Sequence, residues 1–448
     1  MKKLAILYHY CYFTISRRLI RTRPQLTRHQ KKLLGRLRKR VANHSPFYTK
    51  LWVGEGLAAL PVPKMDKKKM MRHFSELNTA GVTLEEALKV ALEAESSRDF
   101  SPRIRGYSVG LSSGTSGNRG VFMIDDSEIR EYAGNLISKI FSPGRLIGRH
   151  RIALFLRANS NLYSETGGSF FKFRFFDLLD PIASLVQKLD EFKPTVIVGP
   201  PSMLRKIAEA VEAGLRLDPK RIYSVAEVLD DFDREYLERI FGRKILQIYQ
   251  ATEGFLGISC DLGTLHLNED VIVFEKEWIA GRERAFHPII TDLRRRTQPI
   301  LRYRLDDILI ARASPCPCGS PFQALDRIEG RSDDLFYVQS SVGAWTPVFP
   351  DFVRRAVLLS SDKIQDYRVV QNSAKELQMQ IRCFDSDQVL IAQKIESQFA
   401  HLFGHYGSEK PEISYQWSIA DLGLRKLRRV ERRFEVPLES SREGGGKR

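Results

Sequence analysis

Residues 110–122 read GLSSGTSGNRGVF, four glycines and four hydroxyl side chains in thirteen positions. Two motifs overlap there. Gly110-Leu111-Ser112-Ser113-Gly114 satisfies G-x-S-x-G, the nucleophile elbow, which needs a strand, a sharp turn and a helix that starts at the serine. Ser112 to Gly117 satisfies a different need. Successive backbone N–H groups in a glycine-rich turn form an anion-binding concavity, and Ser and Thr hydroxyls add donors for a phosphate chain. Context separates the two. YSVGL (107–111) reads as a strand, but GTSGNRGVFMI (114–124) runs through three glycines into a β-branched and aromatic stretch. A loop followed by a second strand cannot be an elbow, so a phosphate loop is expected. It is not a Walker A loop, because G-x-x-x-x-G-K-[ST] is absent.

Outward from this loop, short apolar runs alternate with amphipathic stretches: RIALFLRA (151–158), TVIVGPPSML (195–204), RIYSVAEVL (221–229) and KILQIYQATE (244–253), with ASLVQKLDEF (183–192) and SMLRKIAEAVEAG (202–214) between them. Strand–helix alternation predicts an α/β fold with a largely parallel sheet covered by helices. Ligands of such sheets bind beyond the carboxyl ends of the strands. DVIVFEKEW (270–278) and RYRLDDILIARA (302–313) predict a β-rich part, and EGRSDDLFYV (329–338) a boundary. The expected organisation is a large N-terminal domain of sheets and helices (1–330, with 1–95 mainly helical) and a small α+β C-terminal domain (331–448). The aromatic run FFKFRFF (170–176) reads as alternation on a buried strand, with an acyl pocket as the other reading.

The 448 residues are 43% hydrophobic and 10% aromatic, a folded composition, with a net charge of +17. Basic clusters lie at 16–40 and at RKLRRVERR (425–433). A solvated helix face is the plain account; nucleic acid, anionic lipid or an acidic protein are the partners such charge could meet. No zinc-finger spacing, RNP-like strand or heptad repeat accompanies it, so no specific nucleic acid is expected. LAILYHYCYFTI (4–15) is too short to span a bilayer and no small-residue cleavage site follows it. It is expected to be a buried first helix, peripheral membrane contact being the other reading. Five scattered cysteines do not form a disulfide framework, so a cytoplasmic protein is expected. Cys11 and Cys383, with apolar neighbours, are expected in the core.

The motifs taken in order resemble the superfamily of adenylate-forming enzymes that includes acyl-CoA synthetases, and within it the branch of phenylacetate–CoA ligases and deazaflavin-coenzyme adenylating synthetases. SSGTSG (112–117) resembles the phosphate loop, SVAEVL (224–229) the adenine-flanking segment, YQATEG (249–254) the Tyr-x-x-Thr-Glu signature, YRLDD (303–307) the ribose segment and EGRSDD (329–334) the hinge. The resemblance implies an AMP-binding adenylation domain with a mobile C-terminal lid. It implies an ATP- and magnesium-dependent ligase that joins a carboxylic acid, possibly aromatic, to AMP and then to CoA or a carrier-protein pantetheine thiol. Ser112, Ser113, Thr115 and Ser116 would surround the β- and γ-phosphates, with Gly114 and Gly117 allowing close backbone approach. Ala226 and Glu227 would flank adenine and Tyr249 would stack on it. Thr252 would contact the α-phosphate and Glu253 would hold magnesium, a hard cation that prefers oxygen ligands. Asp307 would bind the ribose hydroxyls with Arg331 beside it, and the lid would turn at Asp333. Lys426 would bridge carboxylate and α-phosphate. Cys260, His266, Cys316 and Cys318 would form a structural zinc site.

Departures accompany the resemblance. Asn118-Arg119 follows the loop where a lysine is common, so Arg119 is expected to supply that charge. Asp306 stands where a small residue is usual, and Arg425 where glycine usually precedes the lysine. LFYVQSSVGAW (335–345) lacks the lysine and glycine that help admit the thiol. Two further readings therefore stand beside the ligase: AMP transfer to a non-carboxylate acceptor, with AMP retained on the product, and a nucleotide-sensing or nucleic-acid-binding protein without catalysis. An acidic carrier protein would suit the basic surface.

Overall fold

The computed structural model describes residues 2–52, 62–97, 99, 101–112, 119–141, 150–156, 171–339, 345–419 and 428–436. The chain divides into two compact units: Met1–Leu305 with Leu309–Ile328, and Asp306–Ile308 with Glu329–Arg448.

In the first unit, strands Phe171–Asp177, His150–Leu156, Val196–Gly199, Arg221–Val225 and Ile245–Ala251 lie side by side in that order, all parallel. Val196–Gly199 reads VIVG and is buried throughout, as a strand covered on both faces must be. Alternation along His150–Leu156 divides its side chains. Ala153 and Phe155 pack with Leu185, Leu204, Ile207 and Leu237 of the crossover helices Ile182–Phe192, Pro201–Glu212 and Asp231–Phe241. Ile152 and Leu154 pack with Ile6, Tyr10, Ala133 and Ile137 from helices Lys2–Leu19 and Asp126–Ile140. The described part of the aromatic run, 171–176, lies on the outermost of these strands, and of its residues only Phe176 is fully buried.

Beyond Ile245–Ala251 the chain reverses in a two-residue turn, Thr252-Glu253, and Gly254–Ser259 returns antiparallel. Antiparallel strands Leu265–Leu267, Ala285–Asp292 and Ile272–Trp278 belong to the β-rich extension expected from the sequence. Tyr107–Leu111 and Val121–Ile124 form an antiparallel pair, so strand follows loop as the elbow argument required.

Helix Asp126–Ile140 opens with a capping box between Asp125 and Glu128. The first helix lies tightly against it. A Cβ at Gly134 would fall 2.4 Å from His9 Cβ, so only glycine allows this approach. Tyr10 Oη donates to the Phe141 carbonyl at 3.3 Å and Arg17 to the Ser138 carbonyl at 2.8 Å. One face of this helix is therefore buried as expected, but Cys11 is a correction: it is exposed on the opposite face, and Cys383 is only half-buried. Among the described residues no helix is long and apolar enough to cross a membrane.

The second unit is built on a four-stranded sheet in the order Glu412–Gln416, Glu376–Arg382, Asp366–Ser373, Val430–Arg432. Helices Pro350–Leu358 and Gln388–His405 pack together, burying Val353, Val357, Ile391, Ile395, Phe399 and Phe403. A separate hairpin, Phe336–Gln339 with Trp345–Val348, completes it.

Candidate active site

Parallel strands place their carboxyl ends along one edge, and two of the sequence motifs fall there in the first unit. Val196–Gly199 runs into Pro200-Pro201 and a helix; Arg221–Val225 runs into Ala226-Glu227; Ile245–Ala251 runs into Thr252-Glu253. Ala226 sits at φ 69°, a left-handed conformation that is costly for a residue with a Cβ and is found where surrounding structure imposes it, often at functional sites. The Glu227 carboxylate accepts from the Ser202 backbone N–H at 3.3 Å, tying the second of these loops to the first. Thr252 is exposed, Glu253 is buried, and the Tyr249 ring is buried in the core with Phe122 and Leu256. A hydroxyl and a carboxylate are oxygen donors of the kind a magnesium ion takes.

The turn that carries them is braced by a residue the motif reading did not single out. Arg295 donates to the carbonyls of Thr252 at 2.9 Å and Glu253 at 3.2 Å, and to that of Met123 at 3.4 Å. Its guanidinium is buried, which lowers its pKa, while the charge of Asp292 opposes that shift. Burial pushes the Asp292 carboxyl up to about 6, against the pull of the Arg294 and Arg295 backbone N–H groups and the Arg295 charge. Gln298, fully buried, accepts from Met123 N–H at 2.8 Å and donates to the Val121 carbonyl at 3.1 Å. Arg295 and Gln298 thus join the strand that follows the glycine-rich loop to the Thr252-Glu253 turn.

Of that loop, Ser112 is described, whereas Ser113, Gly114, Thr115, Ser116 and Gly117 lie outside the described residues. Ser112 and Gly120 close its base: Ser112 N–H donates to the Gly120 carbonyl at 2.8 Å, and Gly120 N–H to Ser112 Oγ at 2.7 Å. Arg119 requires a correction. Both terminal nitrogens of its guanidinium donate to the Glu95 carboxylate at 2.6 Å, so its charge is matched by a fixed acid and not held for phosphate.

In the second unit Asp307 and Arg331 are brought together. Arg331 Nε lies 3.6 Å from Asp307 Oδ1, and the guanidinium reaches Asp306 at 3.5 Å. Burial opposes the charge on Arg331, but Asp307, Asp306, Asp333 and Asp334 outweigh it and raise its pKa. The turn Ser332–Asp334 is anchored through Asp334, which accepts from Arg331 N–H at 3.0 Å and from Arg428 Nε at 2.5 Å. Gly330 has φ +150°, and a Cβ there would meet Asp334 Oδ2 at 3.3 Å, so the turn needs glycine. Lys426 lies outside the described residues.

Cys260, His266, Cys316 and Cys318 converge, with one donor atom from each lying within 4.8 Å of the others. Two tight turns achieve this. Cys260 N–H bonds the Thr264 carbonyl, and Gly319, at φ +75°, bonds back to Cys316. Cys260 and Cys316 sulfurs are 4.0 Å apart, and Cys318 Sγ is 3.4 Å from His266 Nε2. Tetrahedral zinc with Zn–S bonds of about 2.3 Å would hold its sulfurs roughly 3.8 Å apart, so these donors fit the ion. His266 Nδ1 faces the Phe322 carbonyl at 3.2 Å; the carbonyl can only accept, so the proton sits on Nδ1 and Nε2 is left for a metal. Burial pushes the Cys318 thiol up to about 12, reinforced by the other two sulfurs. Burial also opposes ionisation of Cys316, but hydrogen bonds from Thr264 and the Cys318 backbone bring that thiol to about 6. A divalent cation held by these sulfurs would favour their thiolate forms.

The fold is that of adenylate-forming acyl-CoA ligases. Over 90% of this chain and 89% of the other, it superposes on 2-hydroxyisobutyryl-CoA ligase in the postadenylation state with R3-HIB-AMP, with a TM-score of 0.66 and 20% identity. The same ligase in an open conformation with 2-HIB-AMP and CoA gives a TM-score of 0.56 over 89% of this chain and 90% of that one, also at 20% identity. Among curated proteins, Protein CapK of Staphylococcus aureus is 27% identical over 205 residues, which spans 42% of this chain and only 45% of CapK. No protein-family model matches the chain.

Proposed function

We propose that this protein is an ATP-dependent acid–thiol ligase. A carboxylate oxygen attacks the α-phosphorus of ATP and pyrophosphate leaves with the electron pair of the broken P–O bond. A thiol sulfur then attacks the acyl carbon of the acyl-AMP, AMP leaves, and the thiol proton passes to solvent. The observation that carries this reading is the Thr252-Glu253 turn, set at the carboxyl edge of a parallel sheet in an acyl-CoA ligase fold and braced by the buried Arg295.

Thr252 would contact the α-phosphate, and Glu253 would hold the magnesium ion that neutralises the phosphates. Ser112, Ser113, Thr115 and Ser116, with Gly114 and Gly117, would take the β- and γ-phosphates. Ala226, Glu227 and Tyr249 would bound adenine. Asp307, with Arg331 beside it, would accept from the ribose hydroxyls. Lys426 would screen the approach of one anion to another, the electrostatic problem of the first step. The lid, residues 331–448, would turn at Asp333 between the two steps. Cys260, His266, Cys316 and Cys318 would hold a structural zinc ion. The acid is proposed to be aromatic, as in the phenylacetate–CoA ligase branch, and the acceptor to be CoA or an acidic carrier protein. A cytoplasmic location belongs to the same reading.

The test is ATP–pyrophosphate exchange across a panel of aryl and aliphatic acids. Acid-dependent exchange that Lys426→Ala abolishes is the expected outcome. Protein that binds ATP yet exchanges with no acid would overturn the reading.

A further inference from the structure

The helix Lys2–Leu19 has a second apolar face that its packing does not use. Ile6, Tyr10 and Phe13 point into the protein, while Leu4 (70% exposed), Leu7, Tyr8 (66%), Ile15 and Leu19 (69%) form a stripe on the solvent side, with the exposed Cys11 among them. Their spacing of three and four residues keeps them on one side of the helix. The inner face is fixed to the body through Gly134, Tyr10 and Arg17, so the outer stripe cannot turn inward.

The segment that carries this stripe has charge of one sign. Residues 1–54 contain fourteen lysines and arginines and no aspartate or glutamate, so this segment supplies fourteen of the seventeen net positive charges. Arg18 and Arg21 stand exposed at the end of the stripe, and the following helix, Arg23–His44, exposes Arg28, Lys32, Arg36 and Lys39.

We propose that this helix seats the protein on an anionic lipid surface. The helix is about 27 Å long and lies along the body, so the stripe would enter the headgroup–acyl boundary sideways while the basic residues meet lipid phosphates. A second copy is a poorer occupant, because two such segments would bring fourteen positive charges against fourteen. Nucleic acid would leave the leucines and Ile15 without a partner.

The experiment is co-sedimentation of the full chain with vesicles of phosphatidylcholine alone or phosphatidylcholine with phosphatidylglycerol, alongside light scattering for oligomeric state. We expect at least about tenfold stronger partitioning onto the anionic vesicles, weakening with salt. The double variant Leu7→Gln/Ile15→Gln should lower it by about tenfold or more, since both side chains are exposed and their loss costs only the lipid contact. Arg18→Gln/Arg21→Gln should erase much of the preference for anionic vesicles. Thermal unfolding matched to the parent chain establishes that each variant is folded. Equal binding to both vesicle types, no binding to either, binding unchanged in the Leu7/Ile15 variant, or a dimer that the same variant dissociates would each overturn the proposal.

Discussion

Arg295 is the point at which the fold and the proposed chemistry depend on one side chain. Replacing it with methionine keeps the bulk but leaves three carbonyls, those of Met123, Thr252 and Glu253, without their charged donor. It also removes the positive charge that favours the ionised form of Asp292. Leaving a buried acceptor unmet costs about 1–3 kcal/mol, so the three carbonyls together set the loss at about 3–5 kcal/mol. For a unit of this size that lowers the unfolding midpoint by roughly 4–7 °C. The second consequence is geometric. A shift of about 1 Å in a positioning element can cost about 100-fold in rate, and the Thr252-Glu253 turn rests on Arg295. Arg295→Met should therefore show both the lower melting temperature and a loss of acid-dependent exchange of that order. Arg295→Lys separates the two effects. Its ammonium retains the charge facing Asp292 but cannot span two carbonyls as a fork does, so much of the stability should return while exchange stays depressed. A methionine variant with an unchanged melting temperature and exchange within twofold of the parent would refute the reasoning, as would a lysine variant that restores exchange completely.

The raised pKa of Asp292 gives a pH signature. Its carboxyl titrates near 6 in the folded chain against an ordinary value of 3.8. Between those values the folded state holds a proton that the unfolded state has released, so this group's contribution to stability falls as pH rises through that window, by roughly 3 kcal/mol in all. Urea titrations should find Asp292→Asn gaining on the parent by that order between pH 4 and pH 7, and parallel profiles would exclude the assignment. The Cys/His cluster predicts one zinc per chain by elemental analysis. Chelation or Cys318→Ser should release it and lower the melting temperature by roughly 5 °C or more, since ligand binding to the folded state is folding free energy. Purified protein with no bound metal and no response to zinc would remove the site.

Much of the candidate site could be read along the chain because its parts are local. The run after Gly114 changes from glycine-rich to β-branched within a few residues, and that change alone separates a hairpin from a nucleophile elbow. Tyr249-x-x-Thr252-Glu253 is one strand end and one turn, while Cys316 and Cys318 share a single loop. Gly330 is needed because Asp334, four residues on, occupies the space of its missing side chain. In the same way YSVGL and the apolar start of TVIVGPPSML were legible as the strands Tyr107–Leu111 and Val196–Gly199.

The charged residues followed a different rule. Arg295 lies in LRRRTQP (293–299), which by composition is a solvated basic turn, yet it is buried because the partners around it come from residues near 123 and 252. Arg119 reads as a phosphate ligand until Glu95, twenty-four residues earlier, takes both its nitrogens. LAILYHYCYFTI is apolar nearly all round, and nothing in it says which face packs; Gly134, in another helix, decides that and leaves Cys11 outside. Backbone conformation and hydrophobic period are set by neighbours a few residues away, so the sequence by itself determined the class of fold and the order of the motifs. Which charges are buried, paired or left facing outward depends on groups brought together over 24 to 172 residues, and only the tertiary structure decided those.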